Sequence, residues 1–316
     1  MRCKLMKNMR IYIALFCVLS LLAYAKQPLD KNNAFASSIE NTYEMTMKQD
    51  ILSLMMAYPE YIVGVERREN EKVYLIMKSG KRIIYDDKTV KSFEQKLANP
   101  DLQDMLEQQY PLTPIKNLMP KNEDPGRGRV YSLLSEVYGG SRNKVESNLI
   151  NVNVGKYSRF NKNNKAADEL KKVMQELMPI AQKNSKVAAS LFPGSGTYNY
   201  RIISGTGRLS PHAFGIAIDL ARDNRDYWQW ASEKQGAERI ASYPQEIVDV
   251  FEKHNFVWGG KWYHFDILHF EYRPEIILKA RYFGYKDTRR KAWYEGAPLE
   301  DSSVKEYIKK IEEGIK

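Results

Sequence analysis

The chain has 316 residues, of which 43% are hydrophobic and 28% are charged, and its formal net charge is +10. This length is enough for one large domain or two smaller ones, and we find neither an internal repeat nor a low-complexity tract. A positive charge favours anionic polymers in general, including cell wall, nucleic acid and membrane surfaces. Because the sequence contains no nucleic-acid-binding motif and no long basic run, we expect no nucleic-acid partner.

The first 25 residues have the pattern of a secretory signal peptide. An apolar run, Ile11–Ala23, ends in the small-x-small cleavage site Ala23-Tyr24-Ala25, so we expect the mature chain to begin at Lys26. The run follows four basic residues, Arg2, Lys4, Lys7 and Arg10. A membrane anchor is the alternative, but a span needs about 20 apolar residues and this run is shorter. We therefore expect an exported protein, periplasmic or extracellular, with no stable membrane span after cleavage.

Both cysteines, Cys3 and Cys17, lie within this segment. Lipoprotein attachment at Cys17 is disfavoured because the bulky Phe16 precedes it. The mature chain therefore has no thiol chemistry, and any metal site must be built from His, Asp and Glu. Cleavage removes four basic residues and no acidic ones, so the formal charge falls from +10 to +6.

Residues 26–123 are predicted to form an N-terminal region of one helix and a β-meander. Apolar residues at helical spacing predict a helix over Glu40–Met56. Alternating and apolar runs then predict strands at Tyr61–Val65, Val73–Met77 and Arg82–Tyr85, followed by a helix over Val90–Ala98. The sequence does not decide whether this region binds a glycan or shapes a cleft.

Residues 124–316 are predicted to form the second region, after a loop at Leu112–Gly128 that is rich in Pro, Asn, Asp and Gly. The clearest amphipathic helix is expected at Asn163–Gln182, and a charged terminal helix at Ser302–Ile315. The residues suited to chemistry lie between these helices. The pattern predicts an α+β fold with a small antiparallel sheet and helices packed around it.

The first chemical motif surrounds His212. Pro211 and Gly215 favour a turn, and the stretch Ile216–Leu220 then alternates as a strand. Asp219 lies among apolar residues there, and a buried carboxylate needs a partner. A metal ion shared with His212 is one such partner, although a lone Asp more often caps a turn or pairs with Arg.

The second motif contains Asp266 and His269, three residues apart in an aromatic-rich segment that we predict to be a strand. The aromatic side chains would exclude water and strengthen the electrostatics of a site. A catalytic zinc ion needs three protein ligands and one open position. His212, Asp219 and His269 supply three ligands, which leaves Asp266 free to act as the base.

The two remaining histidines are assigned other roles. His254 follows the end of a predicted helix and is interpreted as an ordinary surface or helix-end residue. His264 lies close to the second motif, where it can be a substitute ligand, a hydrogen-bond partner of the site or a substrate contact. We favour the last two roles, and assign His264 to substrate binding.

The pattern SxHxxGxAxD followed by DxxHFE resembles the zinc peptidases that include VanY-like D-alanyl-D-alanine carboxypeptidases and L-alanyl-D-glutamate endopeptidases. The resemblance extends upstream over Gly196–Arg201 and Ile203–Thr206, and less closely over Tyr61–Pro111 and Asp124–Arg127. It implies a hedgehog/D-Ala-D-Ala-peptidase-like fold for residues 124–316, and Zn²⁺ as the cofactor.

The resemblance also implies individual roles. His212, Asp219 and His269 correspond to the zinc ligands, and Asp266 corresponds to the general base, where many relatives use Glu. Arg201 matches the arginine that polarises the substrate carbonyl, with a structural ion pair as the alternative. Ser210 matches a serine that contacts substrate or orients the site.

These residues predict a secreted zinc peptidase acting on the stem peptides of peptidoglycan. A D-alanyl-D-alanine carboxypeptidase is the first prediction, and an L-alanyl-D-glutamate or cross-link endopeptidase is the second. A non-catalytic peptidoglycan-binding module is the rival from another class, although it would have no need of Asp266. The sequence makes no prediction about the oligomeric state.

Overall fold

The computed structural model describes residues 31–69, 71–284 and 292–316, so the predicted signal peptide lies outside the described residues. Residues Thr46–Lys316 form one compact unit. Helix α1, Lys31–Ala57, ends within this unit. Within the described ranges, no helix has the length and apolar character that a membrane crossing requires.

The predicted meander is present as a three-stranded antiparallel sheet of β1 (Ile62–Arg67), β2 (Val73–Met77) and β3 (Arg82–Ile84). Side chains of β2 alternate between buried and half-buried, because one face of the sheet packs on the core. The C-terminal helix, Ser302–Gly314, packs against β1 and buries Val304, Ile308 and Ile311.

The helices between these elements are mostly short. They are α2 (Phe93–Ala98), α3 (Leu102–Leu106), α4 (Tyr131–Tyr138), α5 (Arg142–Ser147), α6 (Ala166–Lys183), α7 (Ser185–Leu191), α8 (Glu233–Ser242), α9 (Gln245–Lys253), α10 (Pro274–Phe283) and α11, the C-terminal helix. A hairpin of β4 (Leu149–Asn153) and β5 (Tyr157–Asn161) forms a second sheet.

The third sheet holds the chemical motifs. It contains β6 (Ala217–Asp219), β7 (Phe256–Trp258) and β8 (His269–Tyr272) in the antiparallel order β6-β8-β7. Helix α9 covers the sheet with its apolar side, where the Phe251 ring stacks on Phe270 at a centroid distance of 4.0 Å. This packing fixes β8, the central strand, between two neighbours and a helix.

Helices together with small antiparallel sheets confirm the prediction of an α+β fold. Two predicted boundaries are displaced by local backbone chemistry. Helix α2 begins at Phe93 rather than Val90, because Ser92 and Gln95 form a capping box. Helix α6 begins at Ala166 rather than Asn163, because Asn164 and Lys165 have φ values of 50° and 62°, outside the helical region.

Contacts cross the predicted domain boundary between residues 123 and 124. The Tyr110 hydroxyl donates to Glu252 at 2.6 Å, and the Tyr58 hydroxyl donates to Glu275 at 2.7 Å. All four side chains are buried. The division at this boundary stays a prediction, and the two sides share one core within the unit 46–316.

Candidate metal centre

His212 is held by the turn that the sequence predicted. It lies in a 3₁₀ turn, Pro211–Phe214, whose first amides are capped by the Ser210 hydroxyl, which accepts from the His212 amide at 3.3 Å. Gly215 ends the turn at φ +70°, a conformation that other residues rarely adopt. A Cβ at this position would also lie 2.6 Å from the Leu149 side chain. Ser210 therefore orients the segment that carries His212.

Strand pairing brings the other two predicted ligands together. Asp219 on β6 is directly opposite His269 on β8, and the Asp219 Oδ1 atom lies 2.9 Å from His269 Nδ1. The His212 Nε2 atom lies 3.2 Å from the same carboxylate oxygen and 3.3 Å from His269 Nδ1. The structure thus brings three predicted ligands, 57 residues apart at most, into one cluster.

Each imidazole has an oxygen near the nitrogen that faces away from the cluster. The Thr197 carbonyl contacts His212 Nδ1, and the Glu271 carboxylate lies 3.8 Å from His269 Nε2, a charge contact beyond hydrogen-bond distance. The acceptor at His212 Nδ1 fixes the tautomer and leaves the lone pair of Nε2 available to a metal. Thr197 and Glu271 were not singled out from the sequence, and Glu271 stands within the DxxHFE motif.

The cluster fits a small divalent cation. Two imidazole nitrogens and one carboxylate oxygen form a common donor set for catalytic zinc, with metal–ligand distances of about 2.0–2.2 Å. A regular tetrahedron with such distances has edges of about 3.3–3.6 Å, and the three separations of 2.9–3.3 Å are close to this range. Burial opposes ionisation of Asp219, but His212 and His269 hold its pKa well below its usual range. The group could therefore hold a metal ion.

Asp266 lies beside the cluster and precedes β8, in an isolated β-bridge with Tyr227 rather than within a continuous strand as predicted. Its amide donates to the Gly259 carbonyl at 3.0 Å, and a Cβ on Gly259 would lie 2.4 Å from the Asp266 carbonyl oxygen. Burial raises the pKa of Asp266 to about 6, against the opposing charge of His269. A carboxyl with a raised pKa is suited to accept and return a proton near neutral pH.

Behind β8 a chain of buried charges supports His269. Arg129 binds both oxygens of Glu271, with its closest contact at 2.6 Å. Arg273 lies 3.5 Å from Glu271 and pairs with Glu275 at 2.6 Å. Burial disfavours ionisation of Glu271, but the two guanidinium groups hold its pKa well below its usual range. The Glu271 carboxylate is thus a fixed negative charge behind the His269 imidazole.

His264 lies at the edge of an open cleft with a volume of about 540 Å³. The Asp124 carboxylate contacts His264 Nδ1 at 2.7 Å and accepts from its backbone amide at 2.9 Å. The Trp228 ring meets the imidazole edge to face, with centroids 4.6 Å apart. His264 is outside the metal cluster, and its substrate contact stays a prediction.

Two other sequence interpretations have different outcomes. Within the described residues, the exposed Arg201 side chain has no hydrogen bond or ion pair, and the structure does not bring it into contact with the cluster, so its catalytic role stays a prediction. His254 is at a helix end as predicted, but it is buried rather than on the surface. Its ring is enclosed by Glu169 and Glu176 of α6, at 2.7 and 2.9 Å.

A second group of acidic side chains has carboxylate oxygens close enough together to hold a metal ion: Asp86, Asp87 and Asp101. The Lys91 ammonium contacts Asp87 at 2.9 Å and Asp101 at 3.0 Å, so a cation already balances these carboxylates. We assign no metal to this group.

The comparisons with known proteins agree with the motif. Residues 204–272 match the model of a family described as D-alanyl-D-alanine carboxypeptidase, which confirms the resemblance over a segment that includes His212, Asp219, Asp266 and His269. The comparisons with curated proteins and with solved structures gave no significant match. The matched segment is similar to peptidases that act on peptidoglycan, and it supports a hydrolase.

Proposed function

We propose that this protein is a zinc metallopeptidase that hydrolyses the stem peptides of peptidoglycan, with D-alanyl-D-alanine carboxypeptidase as its activity. One observation carries the proposal: three ligand atoms of His212, Asp219 and His269 lie within 2.9–3.3 Å of one another, with Asp266 beside them. The family match over residues 204–272 includes all four residues.

In the proposed reaction, a bound zinc ion supplies Lewis acidity at the cluster. Asp266 accepts a proton from the attacking water and then donates it to the leaving amine. Its half-buried position limits competing water, and burial is also the main reason why its pKa is raised. Arg201 is proposed to stabilise the developing oxyanion once substrate is bound.

Cleavage within the stem peptide, as by an L-alanyl-D-glutamate or cross-link endopeptidase, is the second candidate. It is favoured by the open cleft lined by His264 and Phe265, which precede Asp266 in the chain, because about 540 Å³ accommodates more of a peptide than a terminal dipeptide. Asp266 in place of Glu is also a feature of the endopeptidase-like branch. We propose export of the mature chain, residues 26–316, to the periplasm or the extracellular space, where this substrate lies.

The test is digestion of purified peptidoglycan by residues 26–316, with and without a zinc chelator, followed by mass spectrometry of the fragments. Chelator-sensitive loss of a terminal D-alanine is the expected result, while new internal amino groups would identify an endopeptidase. Asp266→Ala is expected to retain zinc and lose nearly all turnover, whereas His269→Ala loses both. The zinc-loaded protein leaving every wall type uncut would overturn the proposal.

A further inference from the structure

The open cleft lined by His264 and Phe265, which precede Asp266 in the chain, has more cationic than acidic side chains. Three basic residues, Arg127, Arg208 and Lys121, line it together with aromatic rings that include Trp228 and Tyr263. The acidic side chains in its lining are Glu94 and Glu233, and Glu233 already accepts a hydrogen bond from the Tyr263 hydroxyl at 3.0 Å. A cleft with this lining favours an anionic group on the ligand.

Arg208 differs from the neighbouring guanidinium groups in having no carboxylate partner among the described residues. Arg127 pairs with Asp124 at 2.8 Å, and Arg129 pairs with Glu271 at 2.6 Å. The half-buried Arg208 side chain instead donates to the carbonyl of Leu97. A partly desolvated cation without a counter-charge is unfavourable unless a ligand supplies one.

The surroundings of Arg208 leave its charge unbalanced. Burial lowers the pKa of Arg208, and Arg129 and Arg127 lower it further, although Tyr131 opposes the shift. Because Arg127 and Arg129 are each paired with a carboxylate, the positive charge that remains without a partner at this wall of the cleft is that of Arg208. A guanidinium group presents parallel N–H donors that match the two oxygens of a carboxylate, so an entering carboxylate can form a bidentate pair.

The chain path connects this position to the metal centre. Arg208 closes a tight turn, in which the Ile203 amide donates to the Arg208 carbonyl at 2.7 Å, and the next residues lead directly into the turn that holds His212. Leu97 belongs to α2, so the opposite side of the contact is supplied by the N-terminal region. That region therefore helps to shape the cleft.

We infer that Arg208 forms a subsite that binds a carboxylate of the peptide substrate, an inference that rests on the proposed function. Stem peptides offer this chemistry from two sources: the free C-terminal carboxylate and the α-carboxylate of the D-glutamyl residue. If Arg208 binds the C-terminal carboxylate, it lies on the leaving-group side of the scissile bond, as in a carboxypeptidase. If Arg208 binds the α-carboxylate of the D-glutamyl residue, it holds an internal residue of the stem peptide, as suits an endopeptidase.

The experiment measures peptide binding by calorimetry, using residues 26–316 with Asp266→Ala so that the peptide is not consumed. Three synthetic stem pentapeptides are compared: the parent with both carboxylates free, its C-terminal amide, and its D-isoglutamine form. One of the two amides is expected to bind about 10–100-fold more weakly than the parent, since hydrogen bonds to charged groups contribute about 1.5–3 kcal/mol. The amide that binds weakly identifies the source of the carboxylate.

Arg208→Gln on the same background is expected to weaken binding of the parent peptide by a similar factor and to remove the discrimination. Arg208→Lys keeps the charge without the planar fork and is expected to be intermediate; it also serves if Arg208→Gln does not fold. Arg82→Gln is the matched control, because Arg82 is an exposed residue of β3 paired with Glu66 at 2.6 Å, and it is expected to bind all three peptides unchanged.

Equal binding of all three peptides to the parent protein would overturn the subsite, as would full discrimination in a folded Arg208→Gln protein or the absence of binding. The proposed function is tested separately by turnover. Discriminating binding combined with an uncut peptide in the zinc-loaded wild-type protein would remove the peptidase and leave the subsite standing. Turnover by the wild-type protein together with equal binding of all three peptides would support the peptidase and remove the subsite.

Discussion

The Lys261 Nζ atom lies 2.6 Å from Glu252 Oε1, and both side chains are buried. Burial raises the pKa of Glu252 and lowers the pKa of Lys261, so each charge depends on the other. We expect Lys261→Met to lower the free energy of unfolding by about 3–5 kcal/mol, because it leaves a buried carboxylate without its cation. Urea denaturation measures the loss.

The double variant Lys261→Met/Glu252→Gln is expected to recover part of that loss, because no unpaired charge remains. Lys253→Met is the control: its pair with Glu176 is exposed, at 2.9 Å, so a change below about 1 kcal/mol is expected. A Lys261→Met effect as small as the control's would show that this buried pair does not stabilise the fold.

Glu271→Gln is expected to weaken zinc binding by about 10–100-fold, because it removes the negative charge behind His269 Nε2. Chelator competition measures the affinity. Glu275→Gln is the matched control, since Glu275 pairs with the same buried Arg273. It is expected to lower stability and leave zinc affinity unchanged; equal zinc loss in both variants would assign the effect to general destabilisation.

Gly259→Ala is expected to reduce peptidase turnover by at least about tenfold while zinc remains bound. A Cβ there would lie 2.4 Å from the Asp266 carbonyl oxygen and 3.2 Å from Asp266 Cβ, so the segment that carries the proposed base must move. Turnover and zinc content are measured on the same sample. Gly140→Ala, whose nearest contact is 3.7 Å, is expected to behave as wild type. Unchanged turnover in Gly259→Ala would argue against Asp266 as the base.

Asp87 provides a prediction about pH. Burial opposes its ionisation, but hydrogen bonds from Lys91 and Thr89 outweigh this and lower its pKa to about 2. Because the folded pKa is below the unfolded value of about 3.9, the stabilisation is present above pH 4 and disappears as the pH falls through 2.

We therefore expect Asp87→Asn to cost about 1 kcal/mol at pH 6, a value limited by solvent screening at a partly exposed site, and only a small part of that at pH 2, where the carboxyl of the folded protein is about half protonated. Denaturation curves at both pH values measure this. Asp168→Asn, at an exposed carboxylate paired with Lys171, is expected to change stability by less than about 0.5 kcal/mol at either pH. A cost at pH 2 as large as that at pH 6 would contradict the ionic explanation.

The parts of the fold and site that could be predicted are those encoded locally. The meander and α6 follow from residue periodicity, and the turn at His212 follows from Pro211 and Gly215. The pairing of β6 with β8, which brings Asp219 opposite His269, was not predicted. The shared role of these residues as metal ligands was predicted from the two motifs and from their resemblance to zinc peptidases.

The supporting contacts could not be predicted, because they join residues far apart in the chain. Asp124 contacts His264 across 140 residues, and Arg129 contacts Glu271 across 142. A single sequence shows that such charged residues are present, but nothing in their local pattern indicates which pairs will meet. The burial of His254 was missed for the same reason, since its carboxylate partners are on α6.

The bonds that join Tyr58 to Glu275 and Tyr110 to Glu252 have a consequence for how this protein can change over evolution. The segment before residue 124 supplies hydroxyl donors to two buried carboxylates, and one of them, Glu275, pairs with the Arg273 side chain that lies beside Glu271. A recombination event that exchanged this segment would leave buried acidic groups without partners. We therefore expect the two regions to be inherited together, with substitutions at one side of each bond matched by substitutions at the other.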